Sequence, residues 1–121
     1  MRPTLRRAWE FELVYTQGRK LTNPLLVSFY LQQAPDSRVA YVASRKVGGA
    51  VQRNRAKRLL RAAFAAMLRA SPDAAPGWVV LVARRGILAH TSADVLAQMR
   101  SHFEIVPLVV SSSHAPGTAG E

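Results

Sequence analysis

One segment limits the folds open to this chain more than any other: the stretch between Gly48-Gly49 and Ser71-Pro72 reads as a single long helix with two unlike faces. At about 100° per residue, Ala56, Leu59, Leu60, Ala63, Phe64 and Met67 fall within an arc of roughly 140°, the stripe that a helix buries against a sheet or another helix. Arg53, Asn54, Lys57, Arg58 and Arg61 cover a second arc of similar width, with Arg55 at its edge. No acid stands between Asp36 and Asp73, so nothing local neutralises that face. Solvated faces ordinarily mix signs, because like charges at i,i+4 repel. Here Arg53, Lys57 and Arg61 stack at that spacing. Such a face suits an outside polyanion, and nucleic acid is the first candidate.

With 121 residues, 49% of them hydrophobic, the chain has room for one domain with a real core. Seventeen Lys and Arg against seven acids give a formal net charge of +10, and 14 of the 17 are Arg, whose planar fork suits phosphate oxygens and stacks on bases. The absence of Cys excludes disulfides and thiolate metal sites. The basic start, Met1 to Arg7, resembles that of a signal peptide until Glu10 and Glu12 interrupt the apolar run, and no stretch has the length of a membrane span. A cytoplasmic location and no membrane partner are therefore expected.

Residues 8 to 16 read as a short helix stopped at Gly18. Leu25 to Leu31 and Val39 to Ser44 have strand length and composition, and the Ala34-Pro35-Asp36-Ser37 loop between them suggests a hairpin. A further strand is expected at Trp78 to Ala83, after Ala75-Pro76-Gly77, and Thr91-Ser92 opens a last helix ending near Phe103. The order, α-β-β-(β)-α-β-α with a further strand before the basic helix left without residues, predicts an α+β fold, a small mixed sheet with helices covering one face. Leu108-Val109-Val110 has no assignment. A single domain over residues 1–110 and a disordered tail over 111–121, small and polar with Gly and Pro, complete the organisation.

The chain shows no constellation for cleaving phosphodiesters. Its seven acids are scattered, and His90, His102 and His114 lack ligand spacing, so neither a catalytic residue nor a metal site is assigned. Trp9, Trp78 and Tyr41 read as packing residues. Asn54 is out of place mid-helix unless it makes a hydrogen bond, either to RNA or to the neighbouring loop. Gly48-Gly49 reads as a tight turn in preference to a phosphate cradle.

Ser44 to Phe64, centred on Arg53-Asn54-Arg55-Ala56-Lys57-Arg58-Leu59-Leu60-Arg61, closely resembles the signature of the bacterial ribonuclease P protein family. Phe11, Tyr15, Gly18 and Asn23 match its amino-terminal pattern, and Trp78 to Arg84 its later strand. The family usually has Asn in place of Gly49 and an acidic or polar residue in place of Ala62. The resemblance implies an α+β domain similar to a ribosomal protein domain, with a left-handed βαβ crossover. It implies a protein that joins a catalytic RNA to remove 5′ leaders from precursor tRNA. RNA contacts would come from Arg45, Lys46, Arg53, Asn54, Arg55, Lys57, Arg58 and Arg61. The single-stranded leader would lie in a cleft of Phe11, Tyr15 and Phe29, with Arg45 and Lys46 at its positive end. Mg²⁺ would be held mainly by the RNA. A structural RNA-binding protein such as a ribosomal protein is the alternative. A DNA-binding module is disfavoured, since no heptad seam or helix-turn-helix spacing surrounds the basic helix.

Overall fold

The computed structural model describes residues 2–111. Helix α1 (Ala8–Gln17) is followed by strands β1 (Arg19–Thr22), β2 (Leu26–Leu31) and β3 (Arg38–Val42). Helix α2 (Ala50–Ala70), strand β4 (Trp78–Ala83), a 3-10 turn (Arg85–Ala89) and helix α3 (Ser92–Ser111) complete the order. The expected α+β class and mixed sheet are present. Leu108-Val109-Val110 belongs to the helical backbone of α3, which runs beyond Phe103. Of the tail, Ser111 ends that helix and the remainder lies outside the described residues.

The sheet order is β1-β2-β4-β3. Strand β4 lies antiparallel to β2, from Leu26↔Ala83 to Leu31↔Trp78, and parallel to β3, from Arg38↔Trp78 to Val42↔Val82. The expected hairpin of β2 with β3 is therefore not formed. Nearly every residue of β4 is buried, and a strand apolar on both faces belongs in the middle of a sheet, where both edges find partners. The true hairpin joins β2 to β1, which the sequence reading missed. On the far side of β3 the amino-terminal segment adds a parallel bridge, Thr4↔Val39.

Helices cover both faces of the sheet, not one as expected. Leu26, Tyr30, Val79 and Leu81 face α2 and α3, meeting Leu60, Phe64, Met99 and Phe103. The alternate residues Phe29, Ala40, Trp78 and Val80 meet α1 through Val14. The Glu10 carboxylate fixes the start of α1: Oε1 accepts the backbone N–H groups of Arg6 and Arg7 at 2.7 and 2.9 Å, and Oε2 pairs with Arg38 at 2.7 Å. These backbone donors, with Arg38 nearby, hold Glu10 below the usual carboxylate range. At the other end the Gly18 N–H bonds the Val14 carbonyl, and a Cβ there would lie 2.5 Å from that oxygen.

Asn23 ties the β1–β2 turn to α3. Its Oδ1 accepts the N–H groups of Leu25 and Leu26, while Nδ2 donates to the Gln98 carbonyl and to Nε2 of His102. That donation makes Nε2 the acceptor, so Nδ1 carries the proton toward the Ser28 hydroxyl, 2.7 Å away. Burial pushes His102 below its ordinary value, and the Thr22 backbone opposes this only in part.

Two outcomes follow for stability. Replacing Asn23 with Ala strands two backbone donors and unties α3, a loss of about 2 kcal/mol or more in urea unfolding. His102 is held neutral, so its contribution is complete above the ordinary value of 6.5 and falls as pH descends from there towards the lowered folded value. Melting temperature should drop between pH 7 and pH 5, and His102→Gln should flatten that slope.

Candidate nucleic-acid interface

The path from β3 into α2 is a compact turn. Its Val47 N–H bonds the Ser44 carbonyl, and the Val47 side chain anchors in the core. Arg45 and Lys46 stand exposed on that turn. Gly48 has φ +152, and a Cβ there would come within 2.7 Å of Gln52, so this position needs glycine. The Arg53 guanidinium donates to the Gly48 carbonyl at 3.0 Å, closing the turn with the helix's own side chain. Gly48-Gly49 is thus the tight strand-to-helix turn.

On α2, Ala56, Leu60, Ala63, Phe64 and Met67 are buried as the periodicity required, and Leu59 is half-buried. Asn54, Arg55, Arg58 and Arg61 are exposed, whereas Arg53 and Lys57 are half-buried. The Asn54 side chain makes no hydrogen bond among the described residues, so its amide is open to solvent. Three of the seven acids are engaged elsewhere: Glu10 and Asp36 with Arg38, and Asp94 with His90. Among the described residues no acid pairs with a cation of α2.

The opposite face of the sheet carries the aromatic cluster. Tyr15 meets Phe29 edge-on with centroids 4.7 Å apart, and Phe11 lies 6.2 Å from Tyr15. Tyr15 remains 41% exposed, while Phe11 and Phe29 are half-buried against the core, so the rings form a cluster between α1 and β2 with one ring open to solvent. Lys20 lies against this cluster, its Nζ 5.8 Å from the centre of the Phe29 ring. Sequence reading missed it because it missed β1; the Asn23-Pro24 turn signal between two apolar runs was the available clue. Arg45 and Lys46, expected at the positive end of this site, stand exposed on the turn between β3 and α2.

Trp78 is buried and donates its indole N–H to Asp36 at 2.7 Å, and Tyr41 is half-buried. Trp9 rests on Trp78 at 6.0 Å yet is 58% exposed. Arg2 was also missed: it donates to the carbonyls of Ala75 and Gly77, two residues of positive φ, and its guanidinium lies over the Phe64 ring. Among the described residues no group of three His, Cys, Asp or Glu side chains is placed to hold a metal ion, and no helix is long and apolar enough to cross a membrane.

An acid-free cationic helix on one face of a small sheet and a partly exposed aromatic cluster on the other define a class: basic α+β proteins with surfaces suited to nucleic acid. Residues 2–106 match the family model described as Ribonuclease P, and the chain belongs to that family. It is 33% identical over 101 residues to the ribonuclease P protein component of an Exiguobacterium species, covering 83% of this chain and 86% of that one. The counterpart from a Nitratiruptor species is 51% identical over 61 residues, and that match spans about half of each chain, 50% of this one and 55% of the other. Among solved structures, the RNase P protein from Thermotoga maritima superimposes with a TM-score of 0.68 at 25% identity over 84% of this chain and 96% of that one. The Staphylococcus aureus protein gives 0.67 at 21% identity over 88% and 96%, a likeness of fold.

Charge and burial separate the helix cations by role. Arg55→Ala and Arg58→Ala should leave unfolding free energy within about 0.5 kcal/mol of the parent, since both are exposed. Arg53→Ala should cost about 1 kcal/mol, because the Gly48 carbonyl loses its donor. Urea melts of the three variants make the comparison.

Proposed function

We propose that this protein is the protein component of a cytoplasmic ribonuclease P, binding the catalytic RNA through α2 and the 5′ leader of precursor tRNA through the aromatic cleft. The observation that carries the reading is the family match over residues 2–106. It is supported by two separate surfaces, one for each RNA. On α2, Arg55, Arg58 and Arg61 neutralise phosphates and fix register, while Lys57 and Arg53 back them from partly buried positions. Asn54, unbonded among the described residues, supplies a donor and an acceptor to the same RNA. Arg45 and Lys46, at the turn between sheet and helix, extend this surface.

In the cleft, Tyr15 offers its exposed ring to an unpaired base, with Phe29 and Phe11 holding it in place. Stacking suits every base, so leaders of differing sequence are accepted. Lys20 over Phe29 attracts the leader backbone. The protein supplies binding and positioning while the RNA supplies the chemistry, with its Mg²⁺ ions held mainly on the RNA. The Tyr15 phenol is neutral at physiological pH and does not repel phosphate, and burial raises it further above its ordinary value.

The test is reconstitution with the host's catalytic RNA. Protein alone should leave precursor tRNA intact, and adding it to the RNA should raise cleavage most at low Mg²⁺, where phosphate repulsion is least screened. Robust cleavage by RNA-free protein would overturn the division of labour. Preferential binding of ribosomal RNA would favour a structural RNA-binding protein instead. For the cleft, Tyr15→Ala should weaken precursor tRNA binding by the holoenzyme about tenfold and leave mature tRNA unaffected, consistent with the loss of one stacked base. Equal weakening of both would sink the leader assignment.

A further inference from the structure

Beside α2 lies a cavity of about 610 Å³, within the range of pockets that hold small ligands. It sits on the shoulder of the helix, between the buried stripe and the exposed cations, and is closed on other sides by the amino-terminal segment and β3. Four cations line it: Arg2, Lys57, Arg61 and Arg69. No acid lines it. Its aromatic members are Tyr41 and Phe64, and each already carries a guanidinium: Arg61 over Tyr41 and Arg2 over Phe64, both 5.1 Å from the ring centre.

The arrangement is unlike that of a surface salt-bridge cluster. Arg61 is braced by a ring with no described carboxylate in contact, so its N–H edge stays open to a phosphate oxygen and its outer face to a flat π system. Arg2 is fixed by the carbonyls of Ala75 and Gly77, so its position does not depend on a ligand. Ala65 and Leu68 supply apolar wall on the helix side. A pocket combining phosphate donors at the rim, guanidinium planes stacked on rings and an apolar wall fits one chemical unit: a nucleobase with its phosphate.

We propose that this cavity takes one unstacked nucleotide of the catalytic RNA, its base inserted beside Tyr41 and Arg61 and its phosphates on Lys57 and Arg69. The proposal rests on the reading that α2 faces that RNA, and it adds an insertion site to what would otherwise be contact with backbone phosphates alone. Charge complementarity favours RNA as occupant, since Lys57 and Arg61 belong to the cationic face as well as to the cavity. A free nucleotide shares the chemistry and is the other source to be distinguished.

The cavity is plugged without removing a charge by Ala65→Leu, a change that also keeps a good helix former in α2. With the cognate RNA, the variant should bind about tenfold more weakly, with the salt dependence of binding unchanged because phosphate contacts remain. In wild-type holoenzyme, acylation of RNA 2′-hydroxyls should reveal a nucleotide made reactive by the protein and silent with the variant. Leu68→Phe narrows the same space from the next turn and should act alike. Arg55→Ala, outside the cavity, separates the two readings. If Arg55→Ala weakens binding while both plugs bind at wild-type strength, the insertion is overturned and the helix contact stands. If none of the three has an effect, the reading of α2 fails as well. Should Ala65→Leu fold poorly, the wild-type acylation pattern decides, and no protein-induced reactive nucleotide means no insertion. Adenosine and uridine 5′-monophosphates titrated against the free protein complete the test. Tight binding that Ala65→Leu abolishes, together with unchanged RNA affinity, would assign the cavity to a free nucleotide and overturn the proposal.

Discussion

The structure depends on the placement of β4 between β2 and β3. Val79 and Leu81 point to one side and Trp78 and Val80 to the other, and all four are buried, so this strand is the common wall of two cores. Its two ladders run in opposite senses, antiparallel to β2 and parallel to β3, and the parallel partner requires the long crossover that α2 provides. The basic helix is therefore a structural necessity, whatever its cations meet. Its buried stripe closes the core over the sheet, and its cations occupy whatever circumference is left.

Much of this was legible in the sequence because it is local. The stripe from Ala56 to Met67 is a matter of angular spacing, and β4 was bounded correctly by Gly77 and Arg84. The strand pairing was not local. Leu25 to Leu31 and Val39 to Ser44 look like a hairpin to any reading that sees only the short loop between them, and the competing partner stands more than thirty residues further on. β1 escaped notice because Arg19 and Lys20 give it no alternation, and its pairing is set by the Asn23 turn. The same distinction governs the candidate site. Phe11, Tyr15 and Phe29 were named through a resemblance and do converge, whereas Lys20 and Arg2 depend on contacts that no spacing rule reveals.

The few acids are as informative as the many bases. Glu10 holds the start of α1 and Arg38, Asp36 holds Arg38 and the Trp78 indole, and Asp94 accepts the Thr91 N–H where α3 begins. Each of these carboxylates is engaged in maintaining the fold, at positions away from α2. Among the described residues the cations of α2 therefore make no ion pair within the protein. Such a surface draws in any polyanion at low ionic strength, so discrimination among RNAs has to come from shape, from stacking and from sites that admit a base.

The central strand is also a late one, and that orders events as the chain is made. Until residues 78–83 have left the ribosome, neither β2 nor β3 has its main ladder partner, and the apolar stripe of α2 has no finished sheet to cover. Only α1 and the β1–β2 hairpin have sequence-local partners to form with. Synthesis at about 5–20 residues per second thus leaves the nascent basic helix uncovered for seconds beside ribosomal RNA before its core exists. In this order the two ladders of β4 and the cover of α2 are completed together and late.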